Sequence, residues 1–272
     1  MIVVDSFMFF NELEMLEARF EYLYDHVDYF VLVEAPITQS GHNKPMHFLN
    51  NMSRYKKYLD KVVYFPFLCK RSDFDFDSKP LHDRDYNNGP WQLENSQRNH
   101  ITKALDLFPD DAIIMISDLD EIPHKQCIQI AKDNFKGGSY EVLSVEVDHF
   151  TYNFNQKMKK KLLCTTISTN AYTKRIGARD VHNGRYGHPV IYNGGWHLSY
   201  WGDVNVIRHK IETFAHQELN QEKFKDPEYI QAKMLEGEDL FGRTEFTHVK
   251  VDPSEIPEDV YRIFNCIQQK VI

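Results

Sequence analysis

The first 34 residues constrain the fold most. Ile2-Val3-Val4 is a short apolar run. Asn11 then opens a stretch whose apolar residues Leu13, Leu16, Phe20, Leu23 and Tyr24 fall on one face of a helix, with Asn11 as its N-cap. Tyr29-Phe30-Val31-Leu32-Val33 follows as a continuous apolar run ending at Glu34. A run without polar alternation suits a strand buried on both faces, as parallel strands are. Strand, helix, strand at this spacing implies a right-handed βαβ unit.

The alternation continues. A helix is expected over 51–59, a strand over 62–65 stopped by Pro66, and a helix over 91–107. Pro109-Asp110-Asp111 makes a turn, and 112–116 is another apolar strand. Residues 35–47 are rich in Pro, Gly, Thr, Ser and Asn and read as a loop. So does the polar stretch 69–90, which holds Asp73, Asp75, Asp77, Asp83 and Asp85. Beyond Gly137-Gly138 the pattern changes to strands over 141–152 and 162–168, then helices over 204–219 and 227–236. No repeat, low-complexity linker or domain boundary is visible. The expected fold is α/β: a single domain over 1–272 with a central, mostly parallel twisted sheet flanked by helices.

At 272 residues the chain can bury one core of this kind. The net charge is -8, and the only short basic run, Lys157 to Lys161, is interrupted by Met158. Nothing here supplies the cationic footprint that a nucleic-acid backbone needs. Cys69, Cys127, Cys164 and Cys266 are scattered without Cys-x-x-Cys spacing. They read as free thiols rather than a disulfide frame or zinc site. Met1 runs straight into Ile-Val-Val-Asp, and no window approaches the ~20 apolar residues that cross a bilayer. A soluble, cytoplasmic protein without a signal peptide or anchor is expected.

The chemistry concentrates where the 112–116 strand ends, at Ser117-Asp118-Leu119-Asp120-Glu121. Open α/β sheets bind ligands beyond the carboxyl ends of their strands. Asp-x-Asp by itself is weak, since Asp73/Asp75, Asp75/Asp77 and Asp83/Asp85 repeat it in polar surroundings. Asp118 and Asp120 differ in terminating a buried strand, where two neighbouring carboxylates repel unless a cation lies beside them. Oxygen ligands suit Mg²⁺ or Mn²⁺. The bland alternative is an acidic cap on a helix starting near Pro123. A divalent ion at this place would shield the charge that develops on a diphosphate leaving group. Arg98 and Lys210 are the basic residues placed to supplement it.

Four blocks of residues resemble glycosyltransferase family 17, whose best-known members are the β-1,4-mannosyl-glycoprotein 4-β-N-acetylglucosaminyltransferases. The first runs from Asp5-Ser6-Phe7 to Phe20, the second from Val27 to Glu34 with Thr38, Gly41, Lys44-Pro45 and Phe48. The third is Asp110-Asp111 through Ser117-Asp118-Leu119-Asp120-Glu121-Ile122-Pro123. The fourth is Gly194-Gly195-Trp196-His197-Leu198-Ser199-Tyr200, with Lys210, Phe214-Ala215-His216-Gln217-Glu218 and Asp239-Leu240-Phe241-Gly242-Arg243.

The resemblance implies a GT-A-like fold, with 1–125 as the nucleotide-sugar half and 126–272 as the acceptor-side half. It also implies a nucleotide-sugar donor, UDP-linked in the best-known members, transfer of GlcNAc or another sugar with inversion, and a glycan or glycoprotein acceptor. Asp118 and Asp120 match the metal and nucleotide motif. His197 is the expected further metal ligand, and Asp118, Glu34, Arg98 and Lys210 are expected on the nucleotide. Trp196, Tyr200 and Trp201 are candidates for stacking on sugars. An inverting transfer needs a carboxylate base. Asp239, in the acidic turn Gly237-Glu238-Asp239, is placed first, ahead of Glu121 and Glu218. Two other classes fit the carboxylates: a metal-dependent phosphohydrolase or nucleotidyltransferase, and a non-catalytic carbohydrate-binding protein.

Overall fold

A computed structural model describes residues 1–78 and 85–269. Their strands are β1 (Val3–Phe9), β2 (Tyr29–Glu34), β3 (Val62–Tyr64), β4 (Ile113–Ser117), β5 (Glu121–Pro123), β6 (Val142–Thr151), β7 (Gln156–Met158), β8 (Leu162–Thr169), β9 (Val190–Ile191), β10 (Gly195–Ser199) and β11 (His248–Lys250). The helices are α1 (Leu13–Leu23), α2 (His47–Asn50), α3 (Gly89–Ala104), α4 (Gln126–Lys136), α5 (Asn170–Ile176), α6 (Ala178–Asn183), α7 (Val204–Thr213), α8 (Glu222–Lys225), α9 (Pro227–Glu236) and α10 (Glu258–Gln269).

The strands form one sheet in the order β11-β7-β6-β8-β4-β1-β2-β3, with β9 and β10 paired to β6 and β5 paired to β10. β3, β2, β1 and β4 are mutually parallel, as the N-terminal pattern predicts. Beyond β4 the sheet is mixed. β8 runs antiparallel to both β4 and β6, while β10 runs parallel to β6. The parallel strands explain the unbroken apolar runs. Phe30 and Leu32 of β2, with Ile113 and Met115 of β4, join the core that contains Leu16, Phe20 and Leu23 of α1. Val31, Val33, Ile114 and Ile116 join the core that contains Ile101 and Ala104 of α3. Successive side chains serve opposite faces, so polar alternation is absent.

Several local expectations shift. Glu12, not Asn11, precedes α1, and it makes no side-chain cap bond. The region 51–59 forms short 3-10 turns rather than a helix. The helix at 204 ends at Thr213 instead of 219, and Asp203 caps its first turn by accepting the Val206 N–H. A helix does start near Pro123, α4 at Gln126, but Lys125 precedes it and neither Asp118 nor Asp120 caps it, because Glu121–Pro123 is drawn into a strand by β10. Of the loop aspartates, Asp73 accepts the Lys70 N–H, Asp75 accepts the N–H groups of Asp77 and Ser78, and Asp77 pairs with Arg71. These serve local turns. Asp83 lies outside the described residues. All four cysteines are free thiols, and no helix among the described residues is long and apolar enough to cross a membrane.

Candidate active site

β4 ends at Ser117, and residues 118–120 turn before β5 begins. The turn is held from beneath by Arg19 of α1, which is wholly buried. Its guanidinium forms a bidentate pair with Asp5 of β1 at 2.8 and 2.7 Å. It also donates to the carbonyls of Asp118, Leu119 and Glu121 at 2.9, 3.0 and 2.8 Å, and to the Ser117 hydroxyl at 2.6 Å. One side chain thus satisfies three carbonyls that the turn leaves without strand partners.

β10 supplies the opposite wall. Its pairing with β5 sets His197 against Glu121, and its pairing with β6 sets His197 beside His149. The two imidazoles stack at 4.5 Å and 24°. Gly195 makes this approach possible: at φ +152° its position favours glycine, and a Cβ there would collide with the Ile122 carbonyl oxygen. The Leu198 N–H donates to the Asp120 carbonyl at 2.8 Å, which locks Asp120 to the strand that carries His197.

The side chains meet over a cleft of about 640 Å³. Arg98 of α3 donates to Asp118 Oδ1 at 2.7 Å and to Glu94 at 3.0 Å. Lys210 of α7 donates to Asp120 Oδ2 at 2.9 Å. His197 Nε2 lies 3.5 Å from Asp120 Oδ1. Burial alone would raise the Asp120 carboxyl, but Lys210 and His197 overcome it and hold the group well below the usual carboxylate range. Asp118 is lowered in the same way by Arg98 and His182 against its burial. Glu121 goes the other way, raised by burial and by the neighbouring Asp118 charge. His197 is raised, because Asp120 outweighs its burial. His149 and His182 are pushed well below the ordinary histidine value by burial and by His197 and Arg98 respectively.

The structure therefore brings together Arg98, Asp118, Asp120, Glu121, His197, Lys210 and Asp239 around one cleft. Two expected residues stand apart from it. Glu34 is fully buried, and its carboxylate accepts the N–H groups of His47 and Phe48, the Lys44 ammonium and the Tyr64 hydroxyl. It caps α2 and has no face toward the cleft. Glu218 pairs with His216 at 2.5 Å beyond the cleft wall. Trp196 and Trp201 are packed in the core, whereas Tyr200 lines the cleft with Lys210 5.4 Å from its ring.

His182, unforeseen in the sequence, joins two of the expected carboxylates. Asp118, Glu121 and His182 each present a ligand atom within 4.8 Å of the others. Among the described residues His182 Nδ1 has no hydrogen-bond partner, and neither do His197 Nδ1 or the two ring nitrogens of His149. Arg19 had a legible signal, a cation on the apolar face of α1 between Leu16 and Leu23. His182 and His149 had none, since nothing in their own segments separates them from other core histidines.

Residues 1–250 match the family model described as Glycosyltransferase family 17. No curated protein matches the chain. Among solved structures, S. aureus TarS 1–349 is similar at 12% identity over 87% of this chain and 71% of that chain, with TM-score 0.41. A 4-diphosphocytidyl-2C-methyl-D-erythritol synthase is similar at 10% identity over 71% and 89%, with TM-score 0.40. Mannose-6-phosphate isomerase from Helicobacter pylori is similar at 10% identity over 63% and 72%, with TM-score 0.37. The family match spans most of the chain, and the protein is a glycosyltransferase. It belongs to glycosyltransferase family 17.

Proposed function

We propose that the protein is a metal-dependent, inverting glycosyltransferase of the GT-A type that moves a sugar from a UDP-linked donor to a glycan acceptor. The observation that carries this reading is the floor of the cleft. Two carboxylates, Asp118 and Asp120, emerge at the end of β4, each paired with a cation, Arg98 or Lys210, from a different helix. A diphosphate is polyanionic, and such a floor offers it fixed positive charge together with oxygen ligands for a divalent ion.

Two ligand sets suit Mg²⁺ or Mn²⁺ chemically. In the first, the 3.5 Å between Asp120 Oδ1 and His197 Nε2 is long for a hydrogen bond. It is close to the ~3 Å that separates adjacent ligands held at ~2.1 Å from one ion. The second set is Asp118, Glu121 and His182. A metal that serves an incoming diphosphate needs open positions, and His182 is only 3% exposed. The His197 side chain is 19% exposed and lines the cleft. We therefore assign the ion to Asp120 and His197 with Asp118 beside them, and give His182 the task of orienting Asp118. When bound, the ion shields the charge on the departing nucleoside diphosphate. Arg98 and Lys210 hold the phosphates in place.

Asp239 is the assigned base. Its Oδ2 accepts from the N–H groups of Phe241 and Arg243 and from Arg243 Nε, while among the described residues Oδ1 accepts only from Arg243 Nη2 at 2.7 Å. With one donor against three on Oδ2, Oδ1 is the less occupied oxygen, and we assign the acceptor hydroxyl to it. Arg243 orients it. Thermal unfolding tests the reading: UDP with Mn²⁺ at about a hundred times Kd adds about 2.7 kcal/mol to stability and raises Tm. An unchanged Tm with saturating UDP and Mn²⁺ would sink it.

A further inference from the structure

The geometry points to an acceptor-saccharide subsite on an aromatic wall of the cleft formed by Tyr86, Trp91, His216 and Phe214. This rests on the transferase reading above and extends it to the second substrate. The four rings touch in sequence. Tyr86 meets Trp91 edge-on at 6.1 Å and 79°, Trp91 meets His216 at 4.8 Å and 89°, and His216 meets Phe214 at 5.7 Å and 58°. All four line the cleft. The wall begins outside, since Tyr86 is 55% exposed and Trp91 8%.

Its position relative to the charged floor is fixed by α3. Trp91 and Arg98 are seven residues apart, which puts them on one face of that helix about 10 Å from each other. A sugar ring placed against the wall lies roughly one to two monosaccharide widths out from the Arg98–Asp118 pair. That is where the body of a glycan must lie if its terminal hydroxyl is to reach the floor. The amides of Asn95 and Asn183 sit in the same stretch: Asn95 Nδ2 donates to the Trp91 carbonyl at 2.7 Å, and Asn183 Nδ2 donates to Asn95 Oδ1 at 3.2 Å. Aromatic faces beside neutral amides match the C–H faces and hydroxyl edges of a saccharide. Phe10, His47 and His209 form a separate ring set, with the Lys44 ammonium 5.3 Å from the Phe10 ring.

The test uses the intact chain with UDP and Mn²⁺ present, titrated in turn with chitotriose, mannotriose and cellotriose while tryptophan emission is read. All three tryptophans are buried, but Trp91 lines the cleft and Trp196 and Trp201 do not, so Trp91 is the reporter. At least one trisaccharide is expected to change the emission, and Trp91→Phe should abolish the change. Tyr86→Ala should weaken that trisaccharide by roughly five-fold with UDP affinity unaltered. Equal trisaccharide affinity in Tyr86→Ala, competitive displacement of the trisaccharide by uridine, or no response to any of the three while UDP binds, each overturns the subsite and leaves the donor reading standing. Absence of both UDP and trisaccharide binding in the unaltered protein overturns both.

Discussion

Asp118 and Asp120 are separated by one residue, Leu119, yet have different partners. Asp118 is drawn toward Arg98 and His182, and Asp120 toward Lys210 and His197. The two histidines separate the alternatives for the metal. His197→Ala should weaken Mn²⁺ binding about ten- to hundred-fold by calorimetry. His182→Ala should leave Mn²⁺ affinity within about three-fold while lowering the transfer rate; the reverse order would move the ion to the Glu121 side. Asp239→Asn should retain UDP binding and lose at least about a hundred-fold in transfer, and retained turnover would remove Asp239 as the base. The sequence exposed the pair at the end of β4 because a buried strand that terminates in carboxylates is chemically odd. It misplaced Glu34 for an equally physical reason. A carboxylate at a strand end can face a ligand or cap the next helix, and only the three-dimensional path of residues 35–47 decides that it caps α2.

At the scale of elements, Arg19 and the β5–β10 pairing set the geometry of the floor. Removing the guanidinium strands Asp5 as a buried charge and takes a donor from three carbonyls, of which that of Asp118 keeps the Glu121 N–H. Arg19→Met should therefore cost about 3–5 kcal/mol in urea unfolding. The double change Arg19→Met with Asp5→Leu should recover part of that stability without recovering transfer, because the turn at 118–121 stays unsupported. Full recovery of activity in the double variant would contradict the positioning role. Gly195→Ala should lower both Tm and Mn²⁺ affinity, since displacing β10 carries His197 with it. The N-terminal βαβ unit was legible because both of its periodicities are local. The strand at Glu121–Pro123 was not, since three residues have no readable period and their pairing partner lies more than seventy residues away at β10. The same holds for the shift from parallel to mixed pairing beyond β4, which depends on long-range order.

Across the whole molecule, the cleft is built by both ends of the chain around one sheet. Its floor comes from the parallel strands and α3, and its far wall from β6, β10, α7 and the Asp239–Arg243 turn. Neither part alone holds both a carboxylate pair and its cations, since Lys210 must reach Asp120 across ninety positions of sequence. Family membership fixes the broad activity, and we assign that activity to the paired charges on the floor. The most direct measurement is release of nucleoside diphosphate from UDP-linked and GDP-linked sugars with Mn²⁺, in the unaltered protein and in Asp120→Asn. Release from a UDP-sugar that needs Mn²⁺ and falls at least about a hundred-fold in Asp120→Asn is the predicted result. Release at the same rate in Asp120→Asn, or no release from any donor, would contradict the assignment of the chemistry to this floor.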